Sequence, residues 1–173
     1  MYIMRCLIIF ALFNVNCLCG EDFLTPVVED AESDENFYHD NRVYSVIYKS
    51  VNKYYCSIGV DDEYLLIYGT KKWTFPAQDV NLTLSYPTET TRASPDHYED
   101  YIITGFRVNL FIDSVESRGY ISSGGLLEES ISLSFVSSNI SAMGYQFWLY
   151  GIPKSVRQYQ NLQTNFIRMC VSK

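Results

Sequence analysis

The stretch Tyr101-Ile-Ile-Thr-Gly-Phe-Arg-Val-Asn-Leu-Phe-Ile-Asp113 decides the fold class of this 173-residue chain. Its apolar and polar residues alternate, which is the pattern of a β-strand with one buried face and one solvated face. The same pattern recurs in Val80-Asn-Leu-Thr-Leu-Ser-Tyr86 and in Ile131-Ser-Leu-Ser-Phe-Val136. Gly124 and Gly125 separate two such runs, as a hairpin turn requires. These runs predict β-strands rather than helices.

Strand-like runs also lie on both sides of this block. We predict further strands at 42–48, 53–58, 64–69, 71–75, 118–125, 144–151 and 166–171. A polar loop is expected at 87–99, and a polar turn is expected after residue 136. Short strands with turns between them are typical of sandwiches and barrels. The sequence therefore predicts an all-β fold: an antiparallel β-sandwich of about eight strands, with a closed β-barrel as the alternative.

The N-terminal residues divide into two segments. Residues 1–20 have the order of a secretory signal peptide, with a positive charge, an apolar run and small residues near Cys19 and Gly20. Because that run is too short to span about 30 Å of hydrocarbon, we favour a cleaved signal over an uncleaved anchor. Residues 21–40 contain eight acids and no lysine or arginine, so we predict a disordered acidic segment there. Residues 41–173 are predicted to form a single β domain.

Charge and hydropathy limit the partners of the chain. The net charge of −7 argues against nucleic acid or an anionic membrane as the main partner, because both need clustered lysine and arginine. No segment beyond the signal peptide is long and apolar enough to cross a bilayer. We therefore expect an extracellular protein that binds a protein or a small ligand. Nothing in the sequence sets the oligomeric state.

Two cysteines remain after removal of the predicted signal peptide, namely Cys56 and Cys170. In a secreted protein they most simply form one disulfide. By closing the long loop between them, it would stabilise the fold by about 4–5 kcal/mol. Two unrelated thiols are the alternative. Zinc binding is not favoured, because no paired cysteine motif or histidine pair accompanies them.

Two sequons for N-glycosylation are present, Asn81-Leu-Thr83 and Asn139-Ile-Ser141. Asn81 lies on the polar side of an alternating strand, and Asn139 is placed in the polar turn between two predicted strands. Both side chains are therefore expected to face solvent, as a glycan requires.

Recognisable catalytic motifs are absent from the sequence. The two histidines, His39 and His97, lie in polar segments, and neither has a neighbouring nucleophile or a complete zinc motif. The chain has no nucleophile elbow and no phosphate-binding glycine loop. We predict a protein that is not an enzyme and that has no cofactor and no metal site.

Aromatic residues are dense in Gly144-Tyr-Gln-Phe-Trp-Leu-Tyr-Gly151. Strand alternation places Tyr145, Phe147 and Leu149 on one face, and Gln146, Trp148 and Tyr150 on the other. One set belongs to the core. The other set is either covered by a second sheet, which we favour, or exposed as a binding surface. Trp148 and Tyr150 are thus the candidate binding residues.

Four pieces of the central block, taken in order, resemble the insect multiprotein bridging factor 2 family. The pieces are 103–108, 119–125, 131–135 and 144–151, and the resemblance spans about 57–151. It implies a small arthropod β-protein with a signal peptide, of the kind secreted into saliva or haemolymph. The founding member is described as a transcriptional co-activator that bridges a nuclear receptor to the general transcription machinery. The family supplies no catalytic residues.

Three functions are consistent with these features. The first is a secreted, non-enzymatic β-sandwich that binds an unknown ligand, and the signal peptide, sequons and paired cysteines favour it. The second is a nuclear co-activator, in which the acidic segment acts as an activation segment. The third is a secreted immune-modulating β-sandwich, which the composition permits equally well.

Overall fold

The computed structural model describes residues 22–31, 35–39, 42–46, 48–60, 62–88, 101–155 and 170. Within these residues the chain is all-β and contains no helix. The strands are β1 (Asp22–Leu24), β2 (Val27–Asp30), β3 (Glu35–His39), β4 (Arg42–Val46), β5 (Ser50–Ser57), β6 (Tyr64–Tyr86), β7 (Tyr101–Ile112), β8 (Arg118–Gly124) and β9 (Ile131–Pro153). Strands β3 and β4 pair only with each other, and the other seven form one antiparallel sheet.

Strand β9 is the centre of this sheet. One of its edges pairs with β6 along almost the whole length of both strands. Its other edge pairs first with β8, over residues 131–136, and then with β7, over residues 143–153. Strand β1 adds to β8, while β5 and then β2 add to β7. The all-β prediction is confirmed, and the sheet curls into a half-barrel.

The core lies on the inner face of the curled sheet. The apolar residues that alternation placed on one face of the stretch at 101–113 are buried, as predicted: Ile102, Phe106, Val108, Leu110 and Ile112. Ile103 is buried as well. Tyr54 of β5 packs against Phe135 of β9, with ring centroids 4.9 Å apart. Gly119 of β8 allows this approach, because a Cβ atom there would lie 2.7 Å from the Tyr54 ring. The two halves of the sheet therefore meet across one core.

The expectation of disorder over 21–40 is wrong for the residues that form strands. Residues of β1 pair with β8, and residues of β2 pair with β5. Leu24 is buried in the core, and Lys53 donates to Glu29 at 2.5 Å. Sheet edges supply backbone hydrogen bonds to any sequence that can extend, and Glu29 and Asp30 remain exposed while the backbone of β2 is paired.

The prediction of a turn between 136 and 144 is also wrong. Strand β9 continues through this region, and β6 likewise joins the three strands predicted at 64–69, 71–75 and 80–86. The pairing of β6 with β9 shifts register near Gln78, and Asn139 has a φ of 51°. Two carboxylates hold the irregular segment: Asp79 accepts from the Asn139 amide at 2.9 Å, and Asp113 accepts from the Ser141 amide at 3.0 Å. The polar residues therefore mark a bend within a strand.

Several predictions lie outside the described residues. They include the signal peptide at 1–20, most of the loop at 87–99, and the strand at 166–171 apart from Cys170. Among the residues that the structure describes, none belongs to a helix able to span a membrane.

Candidate functional site: an aromatic surface on the outer sheet face

Strand β9 divides its aromatic residues between the two faces of the sheet. Phe147 and Leu149 are buried in the core. Trp148 and Tyr150 point to the opposite, outer face, where they are half-buried. Among the described residues, the aromatic and cationic neighbours of Trp148 are Tyr68 and Arg107, and both belong to the same sheet.

The register of four strands places Trp148 in a continuous row. Tyr55 of β5 lies opposite Arg107 of β7, Arg107 lies opposite Trp148, and Trp148 lies opposite Tyr68 of β6. We call these four residues the aromatic row. Because neighbouring strands are about 4.8 Å apart, the row extends about 14 Å across the sheet.

Contacts within the aromatic row fix the indole ring of Trp148. The Arg107 guanidinium lies 5.4 Å from the indole centroid, which is a cation–π distance. The Tyr68 ring lies 5.3 Å away at an interplanar angle of 43°. Because β7 and β6 flank β9 on opposite sides, Arg107 and Tyr68 approach the indole from opposite sides. The row therefore presents two tyrosine side chains and a guanidinium to solvent.

The aromatic row lies within a larger exposed apolar surface. The exposed fractions are 63% for Tyr55, 54% for Leu65 and 52% for Tyr68. Leu65 lies opposite Tyr150 across the β6–β9 pair. We call the aromatic row together with Leu65 and Tyr150 the outer aromatic surface. Contiguous exposed apolar surface of this kind marks interaction sites, whereas single exposed apolar residues do not.

Arg107 is the cation of this surface. Its Nε donates to the Asn109 side chain at a long 3.4 Å, and it forms no ion pair with any described residue. The nearby Lys53 differs, because it is paired with Glu29. A guanidinium stacked on an aromatic ring keeps its in-plane N–H groups available for a carboxylate.

The structure brings Cys56 and Cys170 together as a disulfide, with Cα atoms 4.5 Å apart. Cys56 is on the inner face of β5 and is fully buried. The disulfide therefore belongs to the core, and it does not contribute to the outer aromatic surface.

Both sequon asparagines are exposed, but their backbones differ. Asn81 lies in the regular part of β6, opposite Val136. Asn139 lies at the bend of β9 in a left-handed conformation, which asparagine tolerates better than most residues. The two sequons are thus separate surface features.

A small polar cluster lies inside the core, away from the outer face. Asn52 donates through Nδ2 to Ser117 Oγ at 2.7 Å, and the Tyr54 hydroxyl shares a hydrogen bond with the same oxygen. Burial raises the pKa of Tyr54, and the hydrogen bond to Ser117 opposes that change. The described residues contain no group of acidic, histidine or cysteine side chains suited to hold a metal.

We expect this cluster to make stability fall at alkaline pH. Because the pKa of Tyr54 is higher in the folded state, its contribution is present below about pH 10 and is lost as pH rises through the folded-state pKa. Urea unfolding of Tyr54→Phe should therefore show a smaller loss of stability above pH 10 than wild type. At neutral pH the free energy of unfolding of the variant should be lower by about 0.5–1.5 kcal/mol, because the hydrogen bond to Ser117 is lost. An unchanged alkaline loss would contradict this assignment.

Sequence reasoning identified Trp148 and Tyr150 but missed Tyr55, Tyr68 and Arg107. Each of these three lies on a polar or mixed strand position, and no local pattern singles it out. They join Trp148 only through the register of strands that are distant in sequence.

The fold and this surface define an all-β protein with an exposed aromatic face. No family model matches the chain, and no match was found among curated proteins or solved structures.

Proposed function

We propose that this chain is a secreted, non-enzymatic binding protein and that the outer aromatic surface is its binding site. The aromatic row is the observation that carries this proposal. Its four side chains come from four strands and form one strip, and Arg107 within it has no ion pair among the described residues. Tyrosine, tryptophan and arginine are the residues most enriched at the energetic centres of protein interfaces.

The partner that best fits the surface is a protein. A sugar ring stacks on an open aromatic face, but Arg107 and Tyr68 already contact the indole of Trp148, at 5.4 Å and 5.3 Å from its centroid. The exposed tyrosines offer apolar rings and hydroxyl groups to a complementary surface. Arg107 would bind a carboxylate of the partner through two parallel hydrogen bonds.

Secretion is supported by features that agree with one another. The first 20 residues have signal-peptide order, and both sequon asparagines are exposed. The buried disulfide is typical of oxidising compartments. The resemblance of residues 57–151 to the insect multiprotein bridging factor 2 family is part of this proposal, because it also implies a secreted β-protein.

Expression in insect cells with the native N-terminus tests the compartment. The expected result is protein in the medium that starts near Glu21 and has no free thiol. Protein in the nucleus with residues 1–20 retained would overturn secretion, and the co-activator function would then be preferred.

Substitutions on the outer aromatic surface test the binding site. The wild-type protein would first be used to isolate its partner from the extracellular fluid of the source, and the purified pair would then be measured by surface plasmon resonance. We expect Arg107→Ala and Tyr68→Ala each to weaken binding about tenfold or more. Arg107→Lys should lose part of the affinity, because an ammonium group cannot form the two parallel hydrogen bonds that a planar guanidinium makes to a carboxylate.

Thr70→Ala is the matched control, because Thr70 is exposed on the same face of β6, opposite Gln146, but does not belong to the outer aromatic surface. Circular dichroism would establish that each variant is folded. Equal affinity of wild type, Arg107→Ala and Tyr68→Ala for the partner would remove this surface as the binding site.

A further inference from the structure

Strand β6 is an edge strand of the main sheet. It pairs with β9 on one side, and no other strand among the described residues pairs with it. Its section from Val80 to Ser85 pairs regularly with residues 132–137 of β9. An extended edge of this kind presents unpaired N–H and C=O groups that can pair with another chain.

This section lacks the usual protection of an edge strand. Natural edges are blocked by lysine, proline or bulges. The other part of β6 has all three: Lys71, Pro76 and the register shifts around Gln78. Residues 80–85 contain no charged residue and no proline, and they alternate between apolar and small polar side chains. Two copies of such a segment are compatible with antiparallel, self-complementary pairing.

Asn81 lies in the middle of this unprotected section. Its side chain is exposed and forms no hydrogen bond with any described residue. Asparagine is disfavoured in strands, so the fold itself gives no reason for it at this position. Asn139 contrasts with it, because a left-handed backbone explains that asparagine without a glycan.

We propose that Asn81 carries an N-linked glycan and that this glycan keeps β6 from pairing with β6 of a second copy. The proposal rests on the secretion part of the proposed function. Asn81 Nδ2 forms a bond to C1 of an oligosaccharide whose donor is a lipid pyrophosphate. The bond from C1 to the phosphate oxygen breaks, the lipid pyrophosphate leaves with the electron pair, and Nδ2 loses a proton. No oxidant or reductant is needed.

The test compares proteins that have a glycan, a charge or neither at position 81. Wild type, Asn81→Gln, Asn81→Lys and Thr83→Ser would be secreted from insect cells. Mass spectrometry would measure modification, and size-exclusion chromatography with light scattering would measure molar mass. Thr83→Ser keeps the sequon, so it should be modified and monomeric like wild type. Asn81→Gln should be unmodified at this site and should shift to the mass of a dimer or larger species.

Asn81→Lys separates loss of the glycan from loss of the fold. It also lacks the glycan, but it places a charge on the edge, so it should remain monomeric. Thr83→Ala removes the same sequon while keeping Asn81, and it should associate like Asn81→Gln even if the glutamine variant folds poorly.

Three results would overturn the proposal. Secreted wild type without a glycan at Asn81 would overturn it while leaving secretion intact. Intracellular, unmodified wild type with residues 1–20 retained would overturn secretion and the glycan together. Modified wild type with monomeric Asn81→Gln and Thr83→Ala would show that the glycan does not protect the edge.

Discussion

Replacing Cys56 and Cys170 together by alanine is expected to lower the free energy of unfolding by about 4–5 kcal/mol. The two residues are separated by 114 positions, so the disulfide closes a long loop. Closing a loop of this length removes many conformations of the unfolded chain, and the stabilisation grows with loop length. Cys56 is also fully buried on β5, so the link ties Cys170 to the core.

Urea unfolding of wild type and the double variant, with and without reductant, would measure this contribution. Reductant should destabilise wild type and leave the double variant unchanged, which separates the disulfide from the effect of the alanines. Wild type that unfolds at the same urea concentration with and without reductant would show that the disulfide does not stabilise the fold.

The second large effect is expected at the hairpin between β8 and β9. Gly124 has a φ of +64°, and a Cβ atom added there would overlap the carbonyl oxygen of Ser130. Gly124→Ala therefore combines a left-handed alanine with a clash against backbone. Together these should cost about 2–5 kcal/mol. The variant should express poorly or unfold at a clearly lower temperature.

Gly125→Ala is the matched control for this hairpin. The neighbouring glycine has no positive φ, and a Cβ atom there would meet nothing within 4 Å. Alanine should be tolerated at this position, with a change in the melting temperature of a few degrees at most. If both variants unfold at the wild-type temperature, the described turn geometry is incorrect.

Strand periodicity predicts which residues of a regular strand face outward, but it does not predict which residues lie beside them on neighbouring strands. Alternation around Trp148 assigned Phe147 and Leu149 to one face and Trp148 to the other, and the burial of these residues follows that division. The same reasoning failed where a strand continued through polar residues. At Asn139 the sequence resembles a turn, yet Asp79 and Asp113 satisfy the backbone there and the strand continues. Partners that are distant in sequence cannot be read from a local pattern.

The sequence by itself determined the fold class of this protein, because the period of two is a local property of each strand. It also favoured the pairing of the two cysteines outside the predicted signal peptide, which the structure places together. Only the tertiary structure decided that the acidic N-terminal residues join the sheet, and that Tyr55, Arg107, Trp148 and Tyr68 form one row. The register of each strand is set by the packing of the whole core. If one of these strands shifted by one residue, its member of the row would move to the other face of the sheet.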